Sequence, residues 1–170
     1  MLSTILFATG VIALLFILYV LVRPITRGAI YFPTRKESIR TMARMAEVKP
    51  GQKLVDIGSG DGRILIAFAK MGLETHGYEI NPLLVRQSQR AIKKAGLLGK
   101  AFVHHKSFWH ADLSQFDIVT VYGIGKIMDP LAEKLKNELK PGAKILSNVY
   151  TFPKLKEVER DGYVRMYAVS

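Results

Sequence analysis

The stretch Asp56-Ile57-Gly58-Ser59-Gly60-Asp61-Gly62 decides the fold of this chain. It follows the apolar run Lys53-Leu54-Val55, which predicts a short buried strand, and it precedes residues 63–70, whose pattern predicts a helix. Glycine tolerates a positive φ and lets a ligand approach the backbone, and the start of a helix offers unpaired N–H groups. A strand, a glycine-rich turn and a helix in this order predict a nucleotide-type binding site at the turn.

The spacing of the glycines separates the possible ligands. A dinucleotide fingerprint requires G-x-G-x-x-G, but Arg63 stands where its third glycine would be, and no Gly-Lys-Ser/Thr follows as in a phosphate-binding loop. Asp56 places negative charge where a pyrophosphate would lie, which favours a cationic ligand. S-adenosylmethionine fits this condition, because it carries a sulfonium and an ammonium but no phosphate. A tight turn without a ligand is the alternative interpretation.

A second carboxylate supports a ligand that contains a ribose. Glu79 ends the next apolar stretch of the chain, residues 75–78. An acidic residue at this distance from the glycines can accept hydrogen bonds from both hydroxyl groups of a ribose. The pattern therefore predicts an adenosyl compound with a carboxylate at each end.

Strand-like and helix-like segments alternate along the chain, which predicts an α/β fold with a mostly parallel sheet and helices on both faces. The predicted strands are 53–57, 74–79, 101–105, 116–122, 143–149 and a single last strand over 163–169, and the predicted helices are 35–47, 62–71, 82–96 and 126–139. Thr34 and Glu37 match a capping box at the start of the first helix. Ligands of such sheets bind outside the carboxyl ends of the strands, so Asp56, Glu79, residues 107–109 and residues 122–125 are expected in one crevice.

The N-terminal part differs in composition from the rest. Residues 2–22 contain no charged side chain, and about 20 apolar residues suffice for a helix to cross a bilayer. We therefore expect a transmembrane helix over 1–22, with a buried core helix or a cleaved signal peptide as alternatives. Residues 23–50 then form a basic juxtamembrane segment with a helix, and residues 51–170 form the ligand-binding domain.

The distribution of charge predicts orientation and partners. Residues 23–50 carry seven basic and two acidic side chains, and no Lys or Arg precedes the span. The positive-inside rule then predicts an N-terminus outside and a C-terminal domain in the cytoplasm, or in the matrix of a mitochondrion. The net charge of +11 favours contact with the anionic headgroups of a lipid bilayer. Nucleic acid is a less favoured partner, because no aromatic-interleaved basic stripe or known motif is present.

Several motifs together resemble a known family. The strings D-I-G-S-G-D-G-R and G-Y-E-I-N-P resemble the class I S-adenosylmethionine-dependent methyltransferases, which have a Rossmann-like fold. Three further strings, Y-F-P-T, S-F-W-H-A-D-L-S-Q-F-D and V-Y-G-I-G-K-I-M, are similar to the membrane-anchored lysine methyltransferases that modify the c-type component of ATP synthase and the adenine nucleotide translocase. Small archaeal protein-lysine methyltransferases are similar as well. The resemblance covers about residues 29–153 and implies methyl transfer to a lysine of an integral membrane protein.

The resemblance also implies roles for individual residues. The methionine end of the cofactor would be held by the glycine-rich turn, and the adenosine by residues after the second and third strands. The cofactor-binding residues expected on this basis are Asp56, Gly58, Ser59, Gly60, Asp61, Glu79, Asn81, Ser107, Phe108 and Trp109. The residues expected at the methyl-transfer side are Tyr31, Pro33, Thr34 and Tyr122.

Some of these assignments have alternatives. The family usually has an aspartate where Ser107 stands, so either the serine contacts the adenine amino group or Asp112 does. Trp109 and Tyr122 are residues that a hydrophobic core would also use, and Asn81 is a residue that could serve only as a helix cap.

The residues that are missing narrow the chemistry. The chain has no cysteine, which excludes the covalent mechanism of cytosine C5 methylation, and Tyr122-Gly123-Ile124-Gly125 replaces the Asp/Asn-Pro-Pro-Tyr/Phe of adenine amino-methyltransferases. No metal site is expected, because the histidines at 104, 105 and 110 lack ligands at metal-binding spacing. A protein lysine is the favoured acceptor. A small molecule or lipid as acceptor, and a non-catalytic membrane-tethered scaffold, are the rival functions.

Overall fold

The computed structural model describes residues 7, 9–17, 19, 32–123 and 125–169. Its helices are α1 (within residues 9–17), α2 (Lys36–Ala46), α3 (Arg63–Ala69), α4 (Pro82–Lys94) and α5 (Gly125–Glu138), with one 3₁₀ turn, η1 (Phe108–His110). Its strands are β1 (Lys53–Ile57), β2 (Glu74–Glu79), β3 (Ala101–His105), β4 (Ile118–Val121), β5 (Lys144–Asn148), β6 (Glu157–Asp161) and β7 (Val164–Ala168).

The seven strands form one sheet in the order β3-β2-β1-β4-β5-β7-β6. Strands β1 to β5 pair in parallel, whereas β7 pairs antiparallel with β5 and β6. The strand order reverses between β1 and β4, and ligands of open α/β sheets bind outside the carboxyl ends of the strands at such a point. The predicted Rossmann-like, mostly parallel sheet is confirmed.

Each face of the sheet carries its own hydrophobic core. On one face α2, α3 and α4 cover Leu54, Ile118 and Leu146, all buried. On the other face α5 and the loop through residues 108–116 cover Val55, Val119 and similar residues. Because side chains alternate along a strand, Asp56 and Thr120 point to the same face as Leu54 and Ile118, which is the face under α2 and α3.

Two details of the sequence interpretation are wrong. The chain ends in a hairpin of two strands rather than one strand, and its turn lies at Asp161-Gly162, a dipeptide typical of hairpin turns. Strand β6 escaped notice because it is an edge strand with mostly exposed, polar side chains and thus has no alternating pattern. The capping box is also absent, because Arg35 occupies the N-cap of α2 and makes no side-chain cap hydrogen bond.

The predicted transmembrane helix over 1–22 lies only partly within the described residues. Those that are described, 7, 9–17 and 19, are helical, and every one of them is exposed. Its large apolar side chains Phe7, Ile12, Leu14, Leu15, Phe16, Ile17 and Tyr19 are each more than half exposed. Among the described residues, none of the helices combines the length and apolar character that crossing a membrane requires.

Candidate active site

The glycine-rich turn folds back over the end of β2. The N–H groups of Gly58 and Ser59 both donate to the carbonyl oxygen of Tyr78, at 3.0 and 3.1 Å. Gly58 has a φ of +77°, and a Cβ added there would extend into open space. Gly77 beneath the turn has the opposite surroundings, because a Cβ on it would lie 2.5 Å from the Cβ of Ser59. Glycine is therefore required on both sides: at 58 for the backbone conformation and at 77 for close packing.

Glu79 connects the turn to the segment that follows β2. Its side chain is buried, and its two oxygens accept hydrogen bonds from the N–H of Gly60 at 3.0 Å and the N–H of Asn81 at 2.8 Å. A carboxylate oxygen can accept more than one hydrogen bond, so both oxygens keep capacity for a ligand. The two backbone contacts thus hold the carboxylate in place.

Asp56 is a buried carboxylate at the switch point of the sheet. Only 3% of it is exposed, and its Oδ1 accepts a hydrogen bond of 2.8 Å from the hydroxyl of Thr120 on β4. Burial, and to a smaller extent repulsion from Glu79 and Asp61, raises the pKa of Asp56 from its ordinary 3.8 to about 7, although the Thr120 bond opposes the rise. A cationic ligand would favour the charged form of this side chain. The site is therefore acidic, although the chain as a whole is strongly basic.

Arg63 joins the turn to the segment before α2. Its guanidinium contacts both carboxylate oxygens of Asp61, at distances of 2.7 to 3.2 Å. The same guanidinium donates to the carbonyl oxygen of Thr34 at 3.3 Å. This pairing brings the buried Thr34 and the exposed Pro33 next to the glycine-rich turn, as the sequence predicted for that segment.

An aromatic group lies at the carboxyl ends of β4 and β5. The ring of Tyr122 is 6.3 Å from that of Phe32 and 6.2 Å from that of Tyr150. Tyr122 is only partly buried, so its ring lines the surface rather than filling the core. Phe32, Tyr122 and Tyr150 are called the aromatic wall below. Tyr31, which was predicted at this side, lies outside the described residues.

The predicted adenine contacts are less uniform. Asn81 caps α4 by accepting from the N–H of Leu83 at 3.0 Å, ahead of Pro82 at the first helical position. Phe108 is buried in the core under α5, and Trp109 packs against that core with its ring 4.6 Å from that of Phe108. Trp109 is half-buried and keeps one part of its indole at the surface.

Ser107 and Asp112 occupy different places near η1. Ser107 is the N-cap of this 3₁₀ turn and makes no side-chain cap bond. Asp112 is exposed and accepts the N–H of Ser114 at 2.9 Å, and this bond lowers the pKa of the carboxyl group. Asp112 therefore stabilises the turn before β4.

Two residues of the site were missed at the level of sequence. Thr120 is the only polar residue of the buried strand β4, and the pairing of Asp56 with Thr120 in the sheet brings them together. Asn148 ends β5 and is 4% exposed, and its Oδ1 has no hydrogen-bond partner within the described part of the chain. The available signal was the same for both: a polar residue inside, or at the carboxyl end of, an otherwise apolar strand.

The described residues fit S-adenosylmethionine. Gly58 faces open space at a positive φ, Asp56 and Glu79 supply carboxylates for a cation and a ribose, and the buried Ser59 Oγ has no partner in the described ranges. A crystal structure of an RNA methyltransferase from Salinibacter ruber in complex with S-adenosyl-L-homocysteine has the same fold. The TM-score is 0.78 at 29% identity, and the match covers 81% of this chain and 94% of that one.

Fold and site together define a class I methyltransferase domain whose cofactor is S-adenosyl-L-methionine. Residues 56–159 match the model of the ANTKMT methyltransferase domain family. The chain belongs to this family.

Two curated relatives place it among lysine methyltransferases. It is 37% identical over 124 residues to the lysine N-methyltransferase of Mus musculus that is named for the c-type component of ATP synthase, a match that covers 73% of this chain and 50% of the relative. It is 34% identical over 122 residues to a protein-lysine N-methyltransferase of Saccharolobus islandicus, covering 71% of this chain and 76% of that one. The chain thus spans about half the length of the mouse relative.

Proposed function

We propose that this chain transfers a methyl group from S-adenosylmethionine to the side-chain amine of a lysine on a membrane protein. The observation that carries the proposal is the position of the aromatic wall. It lies at the ends of β4 and β5, beside the acidic cleft that Asp56 and Glu79 form. The likeness to lysine methyltransferases supports the choice of acceptor.

The cofactor supplies a methyl group that its sulfonium already activates. What the chain must add is alignment of the acceptor with that methyl group, which can contribute about 7–11 kcal/mol. In the reaction the lone pair of a neutral amine forms the new N–C bond while the S–CH₃ bond breaks. Sulfur keeps that electron pair, and the amine loses its extra proton to water.

The lysine must be neutral to react. Its reference pKa is about 10.4, so in water nearly all of it is protonated at pH 7. Aromatic surroundings disfavour the ammonium form by removing water from it, which lowers the pKa of the amine. Phe32, Tyr122 and Tyr150 provide such surroundings, and we assign them to the channel through which the lysine enters.

A membrane anchor would bring the enzyme to its substrate. The described residues of α1 expose apolar side chains on all sides, and a helix that is apolar all round is typical of a buried or membrane-inserted element. We propose that α1 belongs to a membrane anchor with its N-terminus outside and the methyltransferase domain inside. Such a tether raises the local concentration of membrane-bound lysines.

Alkaline carbonate extraction tests the anchor. The full chain should stay in the membrane pellet, and the double variant Leu14→Arg/Leu15→Arg should appear in the supernatant. A matched variant, Lys93→Glu/Lys94→Glu on α4, should stay in the pellet. Release of the unaltered chain would contradict the anchor.

RNA is the second candidate acceptor, because the Salinibacter structure is described as an RNA methyltransferase and the chain has a net charge of +11. Radiolabelled S-adenosylmethionine separates the candidates when the full chain is incubated with membranes, total RNA and extracted lipids. We expect label in protein, with mass spectrometry locating it on lysine. Label confined to RNA or to the organic phase would contradict the proposal, and no label in any fraction would favour a scaffold.

A further inference from the structure

Asn148 is an unusual residue for the end of a buried strand. Only 4% of it is exposed, and its Oδ1 has no hydrogen-bond partner anywhere in the described ranges. Buried polar atoms are nearly always paired, so an unpaired acceptor in a native structure calls for an explanation. A ligand that brings its own N–H group is one such explanation.

The side chain of Asn148 lies on the face of the sheet that carries the cofactor site. In β5 the residue two positions earlier, Leu146, packs under α2 and α3, and residues two apart in a strand share a face. Thr120 of β4 pairs with Leu146, and Thr120 in turn bonds to Asp56. Asn148 therefore lies one strand beyond the switch point, level with Tyr122 of the aromatic wall.

The backbone after Asn148 is strained and firmly held. Val149 has a φ of +71°, a conformation that β-branched residues rarely adopt. Its N–H donates to the carbonyl oxygen of Tyr163 at 2.8 Å, and its carbonyl oxygen accepts from Arg165 at 2.7 Å. Strain of this kind persists only where the surroundings enforce it, and it is concentrated at functional sites.

The strained turn has a geometric consequence. It ends β5 at Asn148 and directs the chain back so that the ring of Tyr150 lies 6.2 Å from that of Tyr122. The unpaired carbonyl oxygen and the aromatic wall thus belong to one structural unit. A carbonyl oxygen beside aromatic rings suits an amine, because it accepts an N–H and the rings contact the methylene groups.

We infer that Asn148 is a positioning residue for the acceptor amine, an inference that depends on the proposed lysine methylation. Its Oδ1 accepts one N–H of the incoming lysine, which turns the nitrogen lone pair towards the methyl group. The neutral amide binds the amine without stabilising the ammonium as strongly as a carboxylate would. This choice of side chain keeps the acceptor easy to deprotonate.

The test compares Asn148→Leu, Asn148→Ser and Asn148→Asp in the full chain, with Thr75→Val as control. Thr75 is also buried and hydrogen-bonded, but it lies near the start of β2, away from the carboxyl ends of the strands. The acceptor is a preparation of membrane vesicles from source cells that lack the gene, titrated by total membrane protein. The readouts are the melting temperature, the affinity for S-adenosylhomocysteine, and the rate of lysine labelling against pH.

Asn148→Leu should lower the apparent kcat/KM about 10- to 100-fold while its affinity for S-adenosylhomocysteine stays within about twofold. Asn148→Ser should recover part of the rate. Asn148→Asp should move the acid limb of the pH–rate profile to higher pH, because a carboxylate stabilises the ammonium. A merely structural role would leave that limb in place.

The outcomes separate this inference from the proposed function. If the unaltered chain labels lysine and Asn148→Leu labels it at the same rate, the inference is wrong and the proposed function stands. If Asn148→Leu loses labelling only in proportion to a lower melting temperature, and Asn148→Asp leaves the profile unmoved, the inference is also wrong. If the unaltered chain labels no protein, both are wrong.

Discussion

The two halves of the cleft are built differently. At the ends of β1 and β2, Asp56 and Glu79 already accept hydrogen bonds from Thr120, Gly60 and Asn81 before any ligand enters. At the ends of β4 and β5, Asn148 has an acceptor oxygen without a partner in the described ranges, and Val149 is held in a left-handed conformation. The cofactor half is thus preformed, whereas the acceptor half lacks a contact that a substrate can supply.

The largest effect is expected from breaking the cofactor half at Glu79. Glu79→Ala removes the proposed ribose acceptor and leaves the N–H of Gly60 without its partner, so S-adenosylhomocysteine should bind more weakly by about 1–3 kcal/mol. Calorimetry measures this. Glu74→Ala, the same change at the opposite end of β2, should leave the affinity unchanged, and equal losses in both variants would exclude a specific role for Glu79.

Asp56 predicts a pH dependence of binding. Its pKa is raised to about 7 in the ligand-free protein, and a cation binds the ionised form, so affinity for S-adenosylmethionine should rise between about pH 6 and 8. Asp56→Asn should bind about tenfold more weakly at pH 8 and should show a flatter profile. An unaltered pH dependence in Asp56→Asn would assign the titration to another group.

The same shift predicts the opposite trend for stability. Because the pKa of Asp56 is higher in the folded than in the unfolded chain, the folded state binds more protons, and this group's stabilising contribution is lost as pH rises from about 4 to 7. Ligand-free Asp56→Asn should therefore melt higher than the unaltered chain at pH 8. Denaturation at pH 5 and pH 8 would show whether the difference grows with pH.

Thr120 should sharpen the comparison with a smaller effect. Its hydroxyl lowers the pKa of Asp56, so Thr120→Val should raise that pKa further and move the pH midpoint of binding upwards. The affinity at pH 7 should fall about threefold and recover at pH 8.5. A loss of the same size at both pH values would indicate damage to packing instead.

The smallest effect is expected far from both halves. Arg44 of α2 forms ion pairs with Asp161 at 2.7 Å and Glu159 at 3.5 Å, but all three side chains are at least 40% exposed. Such pairs contribute about 0.5 kcal/mol or less. Arg44→Ala should leave cofactor affinity and methylation unchanged and shift the urea midpoint only slightly.

The difference between the halves also explains what the sequence could predict. The cofactor half follows from one contiguous motif, since a strand, glycines at fixed positions and Glu79 determine the contacts locally. The acceptor half joins Phe32, Tyr122, Asn148 and Tyr150, whose proximity depends on the pairing of β4 with β5 and on a strained turn at Val149. Strand β6 was missed for a related reason, because an exposed edge strand carries no hydrophobic pattern.

The central claim is that the carboxylates at the ends of β1 and β2 hold an adenosyl sulfonium compound. A crystal of the chain soaked in S-adenosylhomocysteine tests it most directly. The account predicts ribose hydroxyls within hydrogen-bond distance of Glu79 and the amino group of the ligand beside Asp56. A cleft that stays empty at millimolar ligand, with Glu79 bonded only to Gly60 and Asn81, would contradict it.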